Sequence, residues 1–361
     1  MIVKNEKKVI QRCLDSLKDK IDYWVIVDTG SEDGTQRLIQ EVMKGIPGEL
    51  HERPWVDFGF NRREALALTK GKADYVLFMD ADERLIYSEA FEKFPVEKDF
   101  YYIPVRNSSP EFVAYHRFFL VNNKLDWQWQ DILHEYLEIP KEAKTQETLD
   151  SVICFTDSDG FRADDPKKYY KDAAILEKAL EKDPLNSRYV FYLAQSYFNA
   201  KEYELAIEKY EKRASMVGGW DQEVFWSLYA AATIRKKLLK SPELFITNYC
   251  KAYQLDPTRA EPLFRLAEYF NSKGDFLLGY LLSSQAVTLS LPQGTMYVQA
   301  WIYEYGALCS FAYSAMRLEK YEESCQAWLQ VLDKKNTPDT VRIQARKYLF
   351  WIDSKKDKLL K

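Results

Sequence analysis

Residues 79–84 read MDADER, three carboxylates and an arginine placed directly after the apolar run Tyr75–Phe78. Like charges crowded together repel, so such a cluster needs an arginine or a metal ion close by. Asp80 and Asp82, one residue apart at a strand end, can share one hard divalent cation, Mn2+ or Mg2+, through carboxylate oxygens. The plainer reading is local: Asp82 caps a turn and Arg84 pairs with Glu83. A further concentrated stretch is WQWQDILHEYL, Trp127–Leu137. In it, the His134 imidazole is a candidate metal ligand, and Asp131 and Glu135 compete as proton acceptor. Trp127 and Trp129 fit a sugar platform and a packed core equally well.

These residues need a frame. Over residues 1–155, strand-like and helix-like segments alternate. Strands are expected at Tyr23–Asp28, Glu49–Arg53, Asp74–Met79, Asp99–Arg106 and Ala114–Val121. Helices are expected over 31–45, with Ser31 or Asp33 as N-cap, and over 59–71. That alternation predicts an α/β domain with a mostly parallel sheet and helices packed on it. Ligands then bind beyond the carboxyl ends of the strands, where Asp28 and Asp80 fall.

From about residue 166 the pattern becomes purely helical, with Gly and Pro only as punctuation. Val190, Leu193-Ala194, Tyr197, Ala206 and Tyr210 recur at the same offsets as Leu263, Leu266-Ala267, Phe270, Gly279 and Ser283. A weaker copy is Leu308, Phe311-Ala312, Ala315, Ser324 and Trp328. Small residues facing large ones at this spacing predict a solenoid of two-helix hairpins over 166–361, similar to tetratricopeptide repeats. The polar stretch 156–165 is expected to be a linker crossed by few contacts. The aromatic stripe Tyr189–Phe198 is read as core packing, not a cofactor box.

The segments MIVKNE, RCLDSL, VIVDTGSEDGT, NRREALALTKGKADYVLFMDADE and HEYL, in this order, resemble the inverting family 2 glycosyltransferases of GT-A fold, over about residues 1–140. The helical half resembles the repeat tail of some bacterial members. The resemblance implies a sugar transferred from a nucleotide diphosphate, with UDP as the expected nucleotide, to a glycan, lipid-linked or protein acceptor. It gives Asp80, Ala81 and Asp82 the roles of the D-x-D motif on donor and metal. It places Asp28, and less specifically Asp33, at the base or ribose, and the loop Val3, Asn5 and Glu6 at the base. Arg62 is implied at the diphosphate or its acids, with Arg63 a weaker candidate. His134-Glu135 matches a pair in related transferases, with Glu135 favoured over Asp131 as general base. Relatives have more residues before MIVKNE, so a short first strand with fewer sheet hydrogen bonds is expected, along with reduced stability.

Composition narrows the alternatives. A net charge of −4 and a pI near 5.7 argue against a nucleic-acid binder with a broad basic face. Five scattered cysteines (13, 154, 250, 309, 325) give neither a disulfide framework nor a zinc site. Of the histidines, His51 and His116 are read as structural. No leader or membrane span is expected, which predicts a cytoplasmic protein, with the inner membrane face as a peripheral location. The repeats offer a surface for acceptor or protein partner. Two other functions compete: a scaffold with a decayed transferase domain, and a nucleotidyltransferase. The latter usually carries a Gly-rich basic loop that VKNEKK lacks.

Overall fold

The computed structural model describes residues 1–107, 115–292 and 296–359. Ala114 of the expected strand, Gln293–Gly294 of an expected break and the last two residues of the expected solenoid lie outside them. The chain divides into two compact units, Met1–Lys178 and Ala179–Lys361.

The first unit opens with β1 (Ile2–Val3), α1 (Ile10–Leu17), β2 (Trp24–Asp28), α2 (Thr35–Val42), β3 (Gly48–Glu52), α3 (Phe58–Ala67) and β4 (Tyr75–Leu77). It continues through β5 (Glu83–Tyr87), β6 (Phe100–Arg106), β7 (Tyr115–Asn122), β8 (Gln128–Gln130), β9 (Tyr136–Glu138), β10 (Gln146–Thr148) and β11 (Val152–Thr156). A 3-10 turn at Phe161–Asp164 leads into α4 (Lys168–Lys182), which carries the boundary between the units.

The α/β expectation holds for the first part in detail. Strands β1, β2 and β3 pair side by side, all parallel, as strands joined by helices must. β1 is short: Ile2 and Val3 face Val27 and Asp28. Its inner face joins Ile26, Ile10, Leu14 and Ile39 in one apolar core. The second sheet, ordered β4-β7-β6-β11-β5, departs from the mostly parallel expectation. In it β4–β7, β6–β7 and β5–β11 run antiparallel, while β6–β11 and β6–β10 run parallel. Among the described residues no helix lies between the strands from β5 to β11, and without crossover helices neighbouring strands fold back on each other. Tyr101, Ile103 and Val105 of β6 and Phe119 of β7 fill the core beneath.

The linker expectation needs correcting. Residues 156–165 pack onto the first unit. Arg12 of α1 ion-pairs with Asp157 at 3.3 Å and bonds to Asp159, and the Phe161 N–H donates to Glu6 at 3.1 Å. The Arg162 guanidinium lies 4.6 Å over the Phe58 ring. Polar composition marked solvent exposure in the sequence, but these acids have cationic partners on the domain itself.

The second unit is built of helices α5 (Ser187–Asn199), α6 (Tyr203–Ser215), α7 (Asp221–Lys237), α8 (Pro242–Leu255), α9 (Glu261–Ser272), α10 (Phe276–Val287), α11 (Ala307–Arg317), α12 (Tyr321–Asp333) and α13 (Asp339–Leu359), with a π-helical turn at Ile302–Gly306. Consecutive helices pack as hairpins: α5 on α6, α7 on α8, α9 on α10 and α11 on α12. Three of these are the copies read from the sequence. Ala194, Ala206, Tyr210, Ala267, Ser283, Ala312 and Ser324 are each fully buried. Two ion pairs are buried as well, Arg213–Glu223 and Arg259–Glu261. The second is bidentate, at 2.8 and 3.0 Å, and Arg259 also donates to the Met296 carbonyl.

Removing one partner of such a pair strands the other charge. Glu261→Ala is therefore expected to destabilise the helical unit by about 3–5 kcal/mol, with Arg259→Met/Glu261→Leu recovering most of it. Urea unfolding followed by helical circular dichroism checks both variants.

Candidate active site

The loops after β1 and β2 are fastened to each other by side chains. The Val3 carbonyl accepts the Thr29 N–H and hydroxyl. Asn5, with φ +57, donates its N–H to Ser31 and accepts the Glu32 N–H on its side-chain oxygen. Glu6 N–H donates to Thr35, and Lys7 N–H to Asp33. Asp33 also accepts from the Thr35 N–H and hydroxyl. Burial works against its charge, but these donors hold its carboxyl below the usual range. Helix α2 starts at Gly34, whose φ of +90° few other residues tolerate, and Asp33 caps it from one residue earlier. Asp28 is wholly buried. Its Oδ1 accepts from the N–H groups of Gly30 and Ser31 and from Gln36, and its Oδ2 has no partner among the described residues.

The acids after β4 are treated unequally. Asp80 faces Arg62 of α3, whose Nη2 donates to its Oδ1 at 2.7 Å. Burial raises the Asp80 carboxyl, but Arg62 and then Arg117 outweigh this and hold it below the usual range. Ala81 is buried in the core. Asp82 has no ion pair among the described residues, and burial, then the charge of Asp80, push its carboxyl up. Glu6 shares its corner: a side-chain carbon at Gly160 would stand 3.2 Å from Glu6 Oε2 and 3.5 Å from Asp82 Cβ. Burial is the main cause that lifts Glu6 to about 7, opposed by the Phe161 N–H and reinforced by Asp82, Asp33 and Asp80. Glu83 is buried and pairs with Arg117 at 2.6 Å, and Arg84 reaches Asp157, so the local Arg84–Glu83 pairing is not formed.

The β8–β9 turn brings the second stretch to the same place. Asp131 and His134 both take positive φ, +69° and +56°, to make the turn. The turn rests on the start of α3, where Phe58 N–H donates to the Ile132 carbonyl and Gly59 abuts the Asp131 carbonyl so closely that any side chain would collide. Glu135 accepts from Arg62 Nε at 2.6 Å, so one guanidinium spans Asp80 and Glu135. That guanidinium also stands 5.0 Å over the Trp129 ring. With two carboxylates against it, Arg62 is held more firmly protonated than usual despite its burial. Trp127, by contrast, is core, and its indole N–H donates to the Asn122 carbonyl. Arg63 donates to the Trp129 carbonyl, and His51 bonds Glu49.

A cavity of about 380 Å³ opens beside Asp80. Its walls include Arg62, Asp80, Trp129, His134 and Glu135, all singled out in the sequence except by their common location. They also include Arg117, Arg162, Lys168 and Asp172, which sequence reasoning missed. The signal available was a lone arginine in the aromatic strand YHRFFLV; nothing in the sequence pointed to the other three.

The residues fit a divalent cation as one of two parties. Among the described residues, no three His, Cys, Asp or Glu side chains gather around one point, and His134 does not join Asp80 and Asp82 in such a group. The half-buried Asp82 carboxylate, with no ion pair among the described residues and Glu6 beside it, offers hard oxygen ligands, to be completed by phosphate oxygens, as is usual for Mg2+-type sites.

Residues 1–94 match the model of the family described as Glycosyl transferase family 2. The matched segment covers β1 to β5 and includes Asp80 and Asp82. Among curated proteins, a TPR repeat-containing protein of Synechococcus elongatus is 39% identical over 87 residues, 24% of this chain and 20% of that protein. The lipopolysaccharide core biosynthesis glycosyltransferase LpsC of Rhizobium meliloti is 35% identical over 86 residues, 24% of this chain and 31% of its own. The chain thus spans less than a third of the length of these relatives. Of solved structures, MamA is 15% identical with a TM-score of 0.38, over 46% of this chain and 89% of its own. YrrB, titled a TPR protein with an unusual peptide-binding site, is 16% identical with a TM-score of 0.39, over 50% and 84%. No helix among the described residues is long and apolar enough to cross a membrane.

Glu6 gives a pH signature. Its folded value lies above its unfolded one near 4.5, so the stability it contributes is fully present below that value and lost as pH rises through about 7. Glu6→Gln should therefore unfold later than the wild type at pH 8, by about 1 kcal/mol once solvent screening of a half-buried group is allowed for. The two should converge near pH 4.5. Thermal unfolding in a chelating buffer at both pH values measures this.

Proposed function

We propose that the first unit transfers a sugar from a nucleotide diphosphate, UDP in the simplest reading, to an acceptor hydroxyl with inversion. The single observation that carries this reading is the Arg62 guanidinium linking Asp80 to Glu135 at the mouth of the cavity beyond β4. The fastened loops Val3–Lys7 and Thr29–Thr35 frame the nucleotide, with Asn5 and Asp33 acting through the loop shape and the buried Asp28 oxygen left to accept a donor. Asp82, with Glu6 and Asp80 near it, is the group that would hold Mn2+ or Mg2+. When bound, that ion supplies positive charge to the diphosphate.

Glu135 is the base. Its bond to Arg62 fixes it at the wall of the cavity, where an acceptor hydroxyl gives up its proton. The acceptor oxygen then bonds to the anomeric carbon from the side opposite the diphosphate, and the carbon–oxygen bond to the diphosphate breaks. The electron pair leaves with the diphosphate, whose growing charge Arg62 is placed to meet. Asp131 shapes the turn that presents Glu135. A protein or glycan partner on the hairpins of the second unit completes the reading.

Release of UDP from UDP-sugars with Mn2+ present tests it. Glu135→Gln is expected to keep donor affinity and lose about 10²–10⁴ in turnover. Asp82→Asn is expected to lose metal-dependent binding of UDP in calorimetry. Normal turnover by Glu135→Gln would remove it as the base. Failure of the wild type to bind UDP would favour a scaffold, and pyrophosphate release from a nucleoside triphosphate would favour a nucleotidyltransferase.

A further inference from the structure

The cavity beyond Asp80 is electrically lopsided. Near α3 and the β8–β9 turn, the two carboxylates Asp80 and Glu135 share one guanidinium, leaving that end acidic. On the wall supplied after β11 the balance reverses. Arg162 ion-pairs with Asp172 through Nη2, and its other N–H groups have no acceptor among the described residues. Lys168, at the first turn of α4, makes no direct ion pair among the described residues, and its charge acts on Asp172. Arg117 of β7 also lines the cavity; its Nη2 pairs with Glu83 and its charge acts on Asp80. Stacking fixes two of these guanidinium planes, Arg162 at 4.6 Å over Phe58 and Arg117 at 3.9 Å over Phe119. They are therefore preorganised, and little side-chain freedom is lost when an anion arrives.

We propose that Arg162 and Lys168, with Arg117, form a subsite for a phosphate group on the acceptor. This rests on the transferase reading, which puts the acceptor hydroxyl at Glu135. An acceptor with a phosphate at one end and a hydroxyl at the other is oriented by the two ends of the cavity: the anion goes to Arg162 and Lys168, the hydroxyl to Glu135. Planar guanidinium forks suit phosphate oxygens, and the unpaired ammonium adds the missing charge. On that reading the donor's diphosphate goes to Asp82 and Arg62 and the acceptor's phosphate to Arg162 and Lys168, two different sets of side chains.

Calorimetric titration of methyl phosphate into the full chain, first alone and then saturated with UDP and Mn2+, tests this. Binding in both conditions is expected. Lys168→Met and Arg162→Met should each weaken it by about tenfold or more while leaving UDP affinity unchanged. Far-ultraviolet circular dichroism verifies that the variants fold. Phosphatidylcholine vesicles doped with phosphatidic acid separate the sources: loss of vesicle binding in the variants places the phosphate on a lipid, and absence of vesicle binding alongside methyl phosphate binding places it on a soluble acceptor. The subsite is overturned if methyl phosphate does not bind the protein alone, if binding is indifferent to both substitutions, or if the variants lose UDP to the same extent. Should UDP itself fail to bind while methyl phosphate binds and responds to the substitutions, the transferase reading falls and the anion site stands.

Discussion

The first unit depends on where one guanidinium sits. Arg62 projects from α3 to the ends of β4 and of the β8–β9 turn, and its two hydrogen bonds hold together carboxylates that would otherwise repel across the mouth of the cavity. In a partly buried setting such charge-assisted bonds are roughly twice as strong as neutral ones, and losing the arginine would leave Asp80 and Glu135 facing each other unscreened. The rest of the arrangement follows. Helix α3 must begin beside the turn, which is why Gly59 abuts Asp131 with no room for a side chain. Trp129 must lie under the guanidinium, which is why the tryptophan two residues earlier goes into the core.

The acids at this edge are sorted by that same cation. Asp80, touching Arg62, stays ionised, while Asp82 and Glu6, away from it, feel burial and each other and are pushed toward protonation. A site divided in this way has one carboxylate already neutralised by protein and others still short of positive charge. That is the condition under which a divalent cation and a diphosphate gain most by arriving together.

Much of this was legible in the sequence because it is local. MDADER after an apolar strand, an arginine on the preceding helix and HEYL after the later strands each carry their position in nearby residues. The hairpin copies at 190–210, 263–283 and 308–328 were legible because buried small residues repeat at fixed offsets. The α7–α8 hairpin escaped because its small residues come as the run Ala230–Ala232 and as Ala252, at other spacings. The mixed second sheet was missed where short strands such as β4 and β10 offer too few residues for a period. Trp127 and Trp129 could not be told apart in the sequence; in the fold Trp127 is buried in the core before β8 begins and Trp129 lies in β8 beneath Arg62. The basic wall was invisible since Arg117, Arg162 and Lys168 come from β7, a 3-10 turn and α4, and only the fold brings them together. The segment 156–165 misled for the same reason: its acids look solvated until Arg12 is seen beside them.

The central claim is that the acids beyond β4 and the arginine bridging them are arranged around a sugar nucleotide's diphosphate. A crystal soaked with UDP and Mn2+ tests it most directly, through the anomalous signal of the metal. The account predicts a manganese peak at Asp82, diphosphate oxygens on it, and Arg62 within hydrogen-bonding distance of the diphosphate. Manganese and UDP bound elsewhere, with the Arg62 bridge between Asp80 and Glu135 closed off from the nucleotide, would contradict it.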